Sequence, residues 1–449
     1  MKKFLSTAVA LGMVAGLAAT ASALELKVTG KYVADGYYFN SGNGAAVEDD
    51  VYGGVFPWDM ENTFRGTPID GMEPMNDDWY EHTFRINPNL IINDKVQVKS
   101  DIRLIDSNSV WGSQEDLQND DGGGLKVKKL WLLYDSPVGR WEVGRRPAGA
   151  WMHDFVSSGT AADRIMWRMP NQDAFKGYVF LQKTEEQDGY WRDLDDNDND
   201  YYEIAGGYDT DMVTAWLGLG WKNDNANDFG PIGSETNMYR IKFYGDFDIN
   251  ENWTILTEID WKWGEIDYAL AGVQDMDIQS SAAILGVKMN MGDISGTAAW
   301  AYISGDNEDD DEATAYDANH GMGDDFEPLY ILTGSAANVL NGDRGGNLVG
   351  SSVRQAGAHL LYALVDFKTT EDLTLHGGLG WAQADEAADG VDDAYGWELD
   401  LGLAYKLYEN LTYELHFGWW LVGDFAELGY SDIETNDILM LSHHLSMKF

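Results

Sequence analysis

From residue 437 onward the chain alternates. Leu439, Leu441, His443, Leu445, Met447 and Phe449 fall on one side of an extended chain, and five of these six are apolar. Between them stand Ile438, Met440, Ser442, His444, Ser446 and Lys448, which are mostly polar. Successive side chains of a strand point to opposite faces, so a two-residue period predicts a strand with one oily and one wet face. The pattern recurs along the chain. Val96, Val98, Ile102 and Leu104 alternate with Gln97, Lys99, Asp101 and Arg103, and Tyr239, Ile241, Phe243 and Phe247 with Arg240, Lys242, Tyr244 and Asp246. Trp253, Ile255, Ile259, Trp261 and Trp263 oppose Thr254, Glu258, Asp260 and Lys262. Trp397, Leu399, Leu401, Leu403, Tyr405 and Leu407 oppose Glu398, Asp400 and Lys406, and Leu411 to Leu421 repeat the pattern around Thr412, Glu414 and His416. Many runs reach about 11 residues, the length of a tilted membrane-crossing strand and about twice that of a strand in a soluble sandwich.

The connections alternate too. Short ones fall at 93–95, 135–139, 209–211, 250–252, 290–293, 369–372 and 409–410. Long ones fall near 41–77, 106–124, 147–160, 184–199, 223–235, 264–277, 305–353, 384–394 and 423–436. Short turns on one rim and long loops on the other are the pattern of an up-and-down barrel. With both chain ends on the short-turn rim, the strand count is even. Splitting 162–183 at Pro170, which cannot donate to a ladder, gives strands over 162–169 and 175–183 and a total of 18. Sixteen stays open, because alternation is weakest in strands four to seven; Lys126, Lys128 and Lys129 do not share a face.

Residues 1–23 read as an export signal: Lys2 and Lys3, a mostly apolar stretch from Phe4 to Ala19, and the cleavage site Ala21, Ser22, Ala23. The expected mature chain, 24–449, is a single domain. No other stretch approaches the 18 consecutive apolar residues of a membrane helix. Absence of cysteine excludes disulfides, thiol catalysis and thiolate metal centres. The net charge of −46 disfavours nucleic acid as a partner. The acids cluster: eight lie in 184–200 and ten in 305–327, which reads as solvated loop.

The terminal Phe449, the export signal and the alternating loops resemble a porin of Gram-negative bacteria, from Leu24 to the end. Residues 134–147 (YDSPVGRWEVGRRP) also resemble a porin turn followed by a strand that leads into an inward loop. The resemblance implies an all-β transmembrane antiparallel barrel in the outer membrane, as a monomer or homotrimer. It also implies contacts with outer-membrane lipids, and the acidic loops suit a bridge to lipopolysaccharide phosphates through divalent cations. Leu441, Leu445, Met447 and Phe449 would form the closing strand read by the barrel-assembly machinery. No cofactor is expected.

A barrel of 16 to 18 strands leaves an aqueous channel, and charged side chains at its narrowest point set selectivity. The loop 147–160 is the candidate constriction. It carries one acid, Asp154, and the apolar Trp151, Met152, Phe155 and Val156, which a solvated loop would not favour. Arg140, Arg145, Arg146, Arg164 and Arg168 surround it. Alternation turns Arg146, Arg164 and Arg168 inward and puts Arg145 on the lipid register at a strand end. Arg85, Lys99, Arg103, Arg240 and Lys242 extend this basic surface, and the inward acids Glu398, Asp400 and Glu414 come from near the other end of the chain. One reading is a basic wall facing an acidic wall, which orients small hydrophilic solutes. The plainer reading is pairing across neighbouring strands, as of Glu258 and Asp260 with Arg240 and Lys242.

Other chemistry finds little support. Asp193, Asp195 and Asn197 begin like a calcium loop, but Asp198 stands where glycine is needed and no Glu closes the loop. An outer-membrane lipid hydrolase needs Ser and His together, whereas Ser442 and His443 point to opposite faces. The expectation is therefore a non-enzymatic diffusion channel. A plugged structural or adhesin barrel, or the barrel of a porin–cytochrome conduit, is the alternative.

Overall fold

The computed structural model describes residues 24–43, 74–111, 125–148, 153–156, 161–170, 173–185, 198–225, 234–270, 273–306, 312–316, 322, 326–334, 339–340, 356–387, 390–427 and 437–449. The expected export signal and the calcium-like Asp193, Asp195 and Asn197 lie outside these residues, as do Trp151 and Met152. The first nine strands are β1 (Glu25–Asn43), β2 (Pro74–Ile91), β3 (Val96–Val110), β4 (Lys126–Ser136), β5 (Gly139–Pro147), β6 (Ala161–Arg168), β7 (Phe175–Glu185), β8 (Asn199–Asp209) and β9 (Val213–Asp224). There follow β10 (Ser234–Asn250), β11 (Trp253–Tyr268), β12 (Met276–Met291), β13 (Ile294–Ile303) and the two-residue β14 (Glu312–Ala313). The last are β15 (Ala358–Lys368), β16 (Leu373–Gln383), β17 (Ala394–Tyr408), β18 (Leu411–Val422) and β19 (Ile438–Lys448).

Apart from β14, which lies parallel to β12 at Asp277 and Ile278, every strand pairs antiparallel with the next long strand. β19 then pairs with β1 over ten residues, from Lys31↔Lys448 to Asn40↔Leu439, so the eighteen long strands close into a barrel. The break after Arg168 bears out eighteen rather than sixteen. The three lysines of β4 have a simple cause. A bulge sets Asp101 opposite Lys129 and Ile102 opposite Val127, leaving Lys128 as the extra residue.

The period-2 pattern becomes an apolar outer surface. Leu217, Leu219, Ile259, Trp261, Leu399 and Leu401 all stand exposed, while their neighbours Lys242, Glu258, Asp260 and Glu398 are buried inside. In water such a surface would be untenable; against lipid it is the stable arrangement. The seam is closed by Phe449. The Gly30 N–H donates to its carbonyl at 2.8 Å, and its own N–H donates to Gly30 at 3.1 Å. Its ring lies across the outer side of Gly30, tilted against Phe84 at 6.3 Å between centroids. A Cβ at Gly30 would overlap that ring and stand 2.8 Å from the Arg85 carbonyl. Gly30→Val should therefore cost about 1–3 kcal/mol through overpacking at the seam. Urea unfolding of the vesicle-reconstituted barrel, followed by tryptophan fluorescence, measures it; an unmoved midpoint would mean the ring relocates freely.

Candidate functional site

The lumen is not an empty cylinder. Part of the loop after β5 lies inside it, as its apolar residues predicted: Phe155 and Val156 are buried. The His153 N–H donates to Glu258 at 3.3 Å, His153 Nε2 lies 3.2 Å from Asp246, and Arg240 donates to the Val156 carbonyl at 3.0 Å. Asp154 is exposed, in a positive-φ conformation (58°). The inner charges of β10 and β11 thus grip the loop rather than face passing solutes.

A second segment enters from the long connection between β13 and β15, and here the sequence reading needs correction. The connection was expected to be a solvated acidic loop. Its acids give way after Glu327 to an apolar run, and Leu329, Ile331 and Leu332 are fully buried against the inner wall. Burying each such side chain stabilises by roughly 1.5–3 kcal/mol, enough to draw the segment out of water. Room comes from inward glycines of β16 and β18; a Cβ at Gly418 would sit 3.1 Å from Ile331. The two inward segments meet where Phe155 packs edge-on against Phe326, with centroids 5.1 Å apart. Tyr316 joins them, donating to Asp260 while Lys262 sits 3.8 Å over its ring.

Glu398 and Asp400 also differ from expectation. They do point inward, but they do not form an open acidic wall. Glu398 is 0% exposed and accepts the N–H groups of Ile331 (2.6 Å) and Leu332 (2.7 Å); Asp400 accepts that of Tyr330 (3.0 Å). They anchor the second segment. Of the expected acidic wall only Glu414 keeps an appreciably exposed side chain, 39%, with His416 Nε2 at 3.6 Å.

The arginines largely follow the plainer reading. Arg146 donates to Glu142 at 2.7 Å and is buried; Arg168 donates to the same carboxylate at 3.1 Å but keeps 41% of its side chain exposed. Arg164 bonds Gln182 at 2.6 Å and stacks over Phe180 at 4.0 Å. Arg240 pairs with Asp260 as expected, and Lys242 also reaches across β9 to Glu203 on β8, at 2.8 Å. Arg145 lies at the outer rim, paired with Asp163 at 3.0 Å.

Arg85 and Arg103 belong to a feature that pattern reading did not assemble. Lys448 lies directly opposite Lys31, Lys31 opposite Arg85, Arg85 opposite Arg103, and Arg103 opposite Lys126. All five take the inward register, one on each of five adjacent strands, and Lys99 lies on the same inner surface. Strand spacing makes the row roughly 20 Å long. Barrel strands tilt by about 35–45°, so a row perpendicular to them climbs the wall. It starts at the short-turn end of β19 and ends at the long-loop end of β4. Beside it runs a second row, Glu414, His444, Asp35 and Glu81, again on consecutive strands. Positive and negative rows share one wall here, rather than facing each other across the lumen.

One hydrogen-bond chain resembles a hydrolase site. Ser442 Oγ lies 3.0 Å from His444 Nε2, and His444 Nδ1 lies 2.7 Å from Asp35. The sequence reading had weighed His443, which indeed faces outward over Gly36. Ser442, however, is 1% exposed within the strand wall, so a substrate carbonyl has no approach to it.

Comparison with known proteins bears on the fold. No family model matches the sequence, and no curated protein matches it. Among solved structures, the chain is similar to a BenF-like porin from Pseudomonas fluorescens Pf-5, at 11% identity and TM-score 0.52, covering 94% of this chain and 98% of that one. It is also similar to OccK3 (OpdO) of Pseudomonas aeruginosa, at 12% identity and TM-score 0.51, covering 94% and 96%. OccK8 (OprE) of the same species matches at 11% and 0.50, covering 94% and 98%.

The fold is that of an outer-membrane porin. The second inward segment also roofs an alcove of about 390 Å³ in the lumen wall. Tyr330, Lys288, Thr297 and the Asp366–His376 pair, 2.6 Å apart, line it. The signal for this segment was present in the sequence, in the run Leu329 to Leu332, but the acids before it concealed it.

The anchor makes a test. Glu398→Ala leaves the N–H groups of Ile331 and Leu332 without an acceptor, at roughly 1–3 kcal/mol each. Residues 326–334 should then leave the wall and become accessible to protease in an otherwise intact barrel. Equal protection in variant and parent, with both folded by unheated gel mobility, would show that apolar packing alone holds the segment.

Proposed function

We propose that this porin barrel is an outer-membrane channel through which small hydrophilic anions diffuse passively, without cofactor or energy input and without catalysis. The row Lys448, Lys31, Arg85, Arg103 and Lys126 carries the reading. Like charges directly opposite in a sheet repel, by on the order of 1–3 kcal/mol per adjacent pair at 5 Å separation. Asp35 and Glu414 beside Lys31 offset part of that repulsion. A solute carrying carboxylate or phosphate groups gains a staircase of contacts, each replaced by the next as it moves between the rims. Arg168 and Lys99 widen the positive surface. Asp35, Glu81 and Glu414 lie beside it and favour solutes with a polar or positive group next to the anionic one.

The narrowest part of the path lies, on this reading, between the inward loop at His153–Val156 and the β1–β7 wall. The basic residues there select charge, and the space the inward loop occupies limits size. The acidic outer loops concentrate divalent cations and, through them, bind lipopolysaccharide. Closure through β19 suits delivery by the barrel-assembly machinery, and a homotrimer is one arrangement in which such a barrel would sit. Filling of the lumen by two inward segments favours a second reading, a plugged structural barrel.

Planar-bilayer recording separates the two. The channel reading expects stepwise ohmic openings and a reversal potential showing anion preference in a salt gradient. Replacing Lys31, Arg85 and Arg103 together with Gln should shift that potential toward cations, most strongly at low ionic strength, where screening is weakest. A conducting barrel whose selectivity ignores this triple variant would remove the row from the conduction path. Silence of the purified parent would favour the plugged barrel.

A further inference from the structure

The alcove under the second inward segment is built on one register row. Lys288, Thr297, Leu364, Gly378 and Asp400 stand directly opposite one another on β12, β13, β15, β16 and β17. All five line the hollow. The row has a cation at one end, a carboxylate at the other and an apolar middle. Gly378 leaves the floor open; a Cβ on it would stand 3.1 Å from that of Asp400. Tyr330 closes the hollow from above, its ring stacked on His416 at 4.3 Å and 9°.

Asp400 is the informative member. It is 3% exposed, and its Oδ2 accepts the Tyr330 N–H. Its Oδ1 accepts no hydrogen bond from any described residue. Glu398, two residues away on the same face, is a second carboxylate and is already engaged by two N–H groups. A buried carboxylate oxygen without a donor is costly, so this oxygen favours a donor brought from outside the chain. At the far end, Lys288 meets Asp246 at 3.4 Å and keeps 42% of its side chain exposed.

We propose that the alcove binds a linear zwitterion whose ammonium and carboxylate are separated by several methylene groups. The ammonium donates to Asp400 Oδ1, and the carboxylate meets Lys288 and the Thr297 hydroxyl. The methylenes lie over Leu364 and Gly378, beneath Tyr330, where burial of apolar surface adds to the binding. Length follows from the sheet. Four strand spacings put the backbones of Lys288 and Asp400 roughly 19 Å apart, and the long lysine side chain covers part of that distance. An α-amino acid, whose two charged groups share one carbon, reaches only one end. Asp366 and Asp400 together turn dianions away. The site stands apart from the basic row of β19 to β4 and does not depend on it.

The test is calorimetric titration of the detergent-solubilised full-length barrel with four probes: 6-aminohexanoate, 6-aminohexanol, 6-hydroxyhexanoate and glycine. The first carries both charges at the required spacing, the next two carry one charge each, and glycine carries both on one carbon. Binding of 6-aminohexanoate at least several-fold tighter than any other probe is expected. Asp400→Asn keeps an oxygen for the Tyr330 N–H but removes the negative charge, and should weaken that binding about tenfold, the scale of one hydrogen bond to a charged group. Lys288→Met, which touches neither the inward segment nor Asp400, should lower the affinity to that of 6-aminohexanol. Equal binding of either singly charged probe, or of glycine, overturns the zwitterion assignment. Indifference to both variants overturns the location. A proton shared between Asp400 and Glu398 is the other way to fill the Asp400 oxygen; it would leave all four probes unbound, and that result overturns the site. Binding is read without any current, so this site and the channel can fail separately.

Discussion

In hydrocarbon no water stands ready to bond a strand edge, so every backbone N–H and C=O must find its partner within the protein. The ladder between β1 and β19 is where this chain meets that demand. Seventeen sequential pairings could form from local hairpins and their neighbours, yet they would leave two open edges. The last pairing joins residues about 400 positions apart and removes both. The small outward residue at Gly30 makes this seam tight enough for Phe449 to lie flat across it. The inner rows of charge depend on the same closure, because Lys448 reaches Lys31, and His444 reaches Asp35, only across the seam.

Inside, a different constraint operates. A segment that leaves the wall of a barrel and turns into the lumen carries unpaired backbone N–H groups. Those of Tyr330, Ile331 and Leu332 are met by the carboxylates of Asp400 and Glu398, and that of His153 by Glu258. The exchange is reciprocal. A carboxylate buried without donors is costly, and so is a buried N–H without an acceptor. Each resolves the other, and the apolar contacts between Phe155, Phe326 and the aliphatic run supply the net gain. Acids that look like selectivity determinants by their position on the inner face serve here as fixtures for loops.

Much of the architecture was legible because strand periodicity is a local property. The register of Trp253 to Trp263, the break near Pro170 and the alternation of short and long connections all follow from residues close in sequence. The inward course of Phe155 and Val156 was legible for a related reason: apolar side chains in an exposed loop have few other places to go. The second inward segment was not, since ten acids in 305–327 dominate its composition and only the short run after them differs. Pairing of Lys242 with Glu203 was not legible either. It depends on side-chain reach across two strand spacings, which no periodicity encodes.

Sequence by itself determined which face of each strand meets lipid, that the strands number sixteen or eighteen, and which rim bears the long loops. Alternation is built into the backbone, and turn residues mark where it reverses. Only the tertiary structure decided which inward charges stand together. Each side chain on the inner face has neighbours one strand away whose identity depends on register, and a shift of two residues would keep every face and change every pair. The line of Lys448, Lys31, Arg85, Arg103 and Lys126 exists because four registers happen to agree, one of them across the seam between the first and last strands.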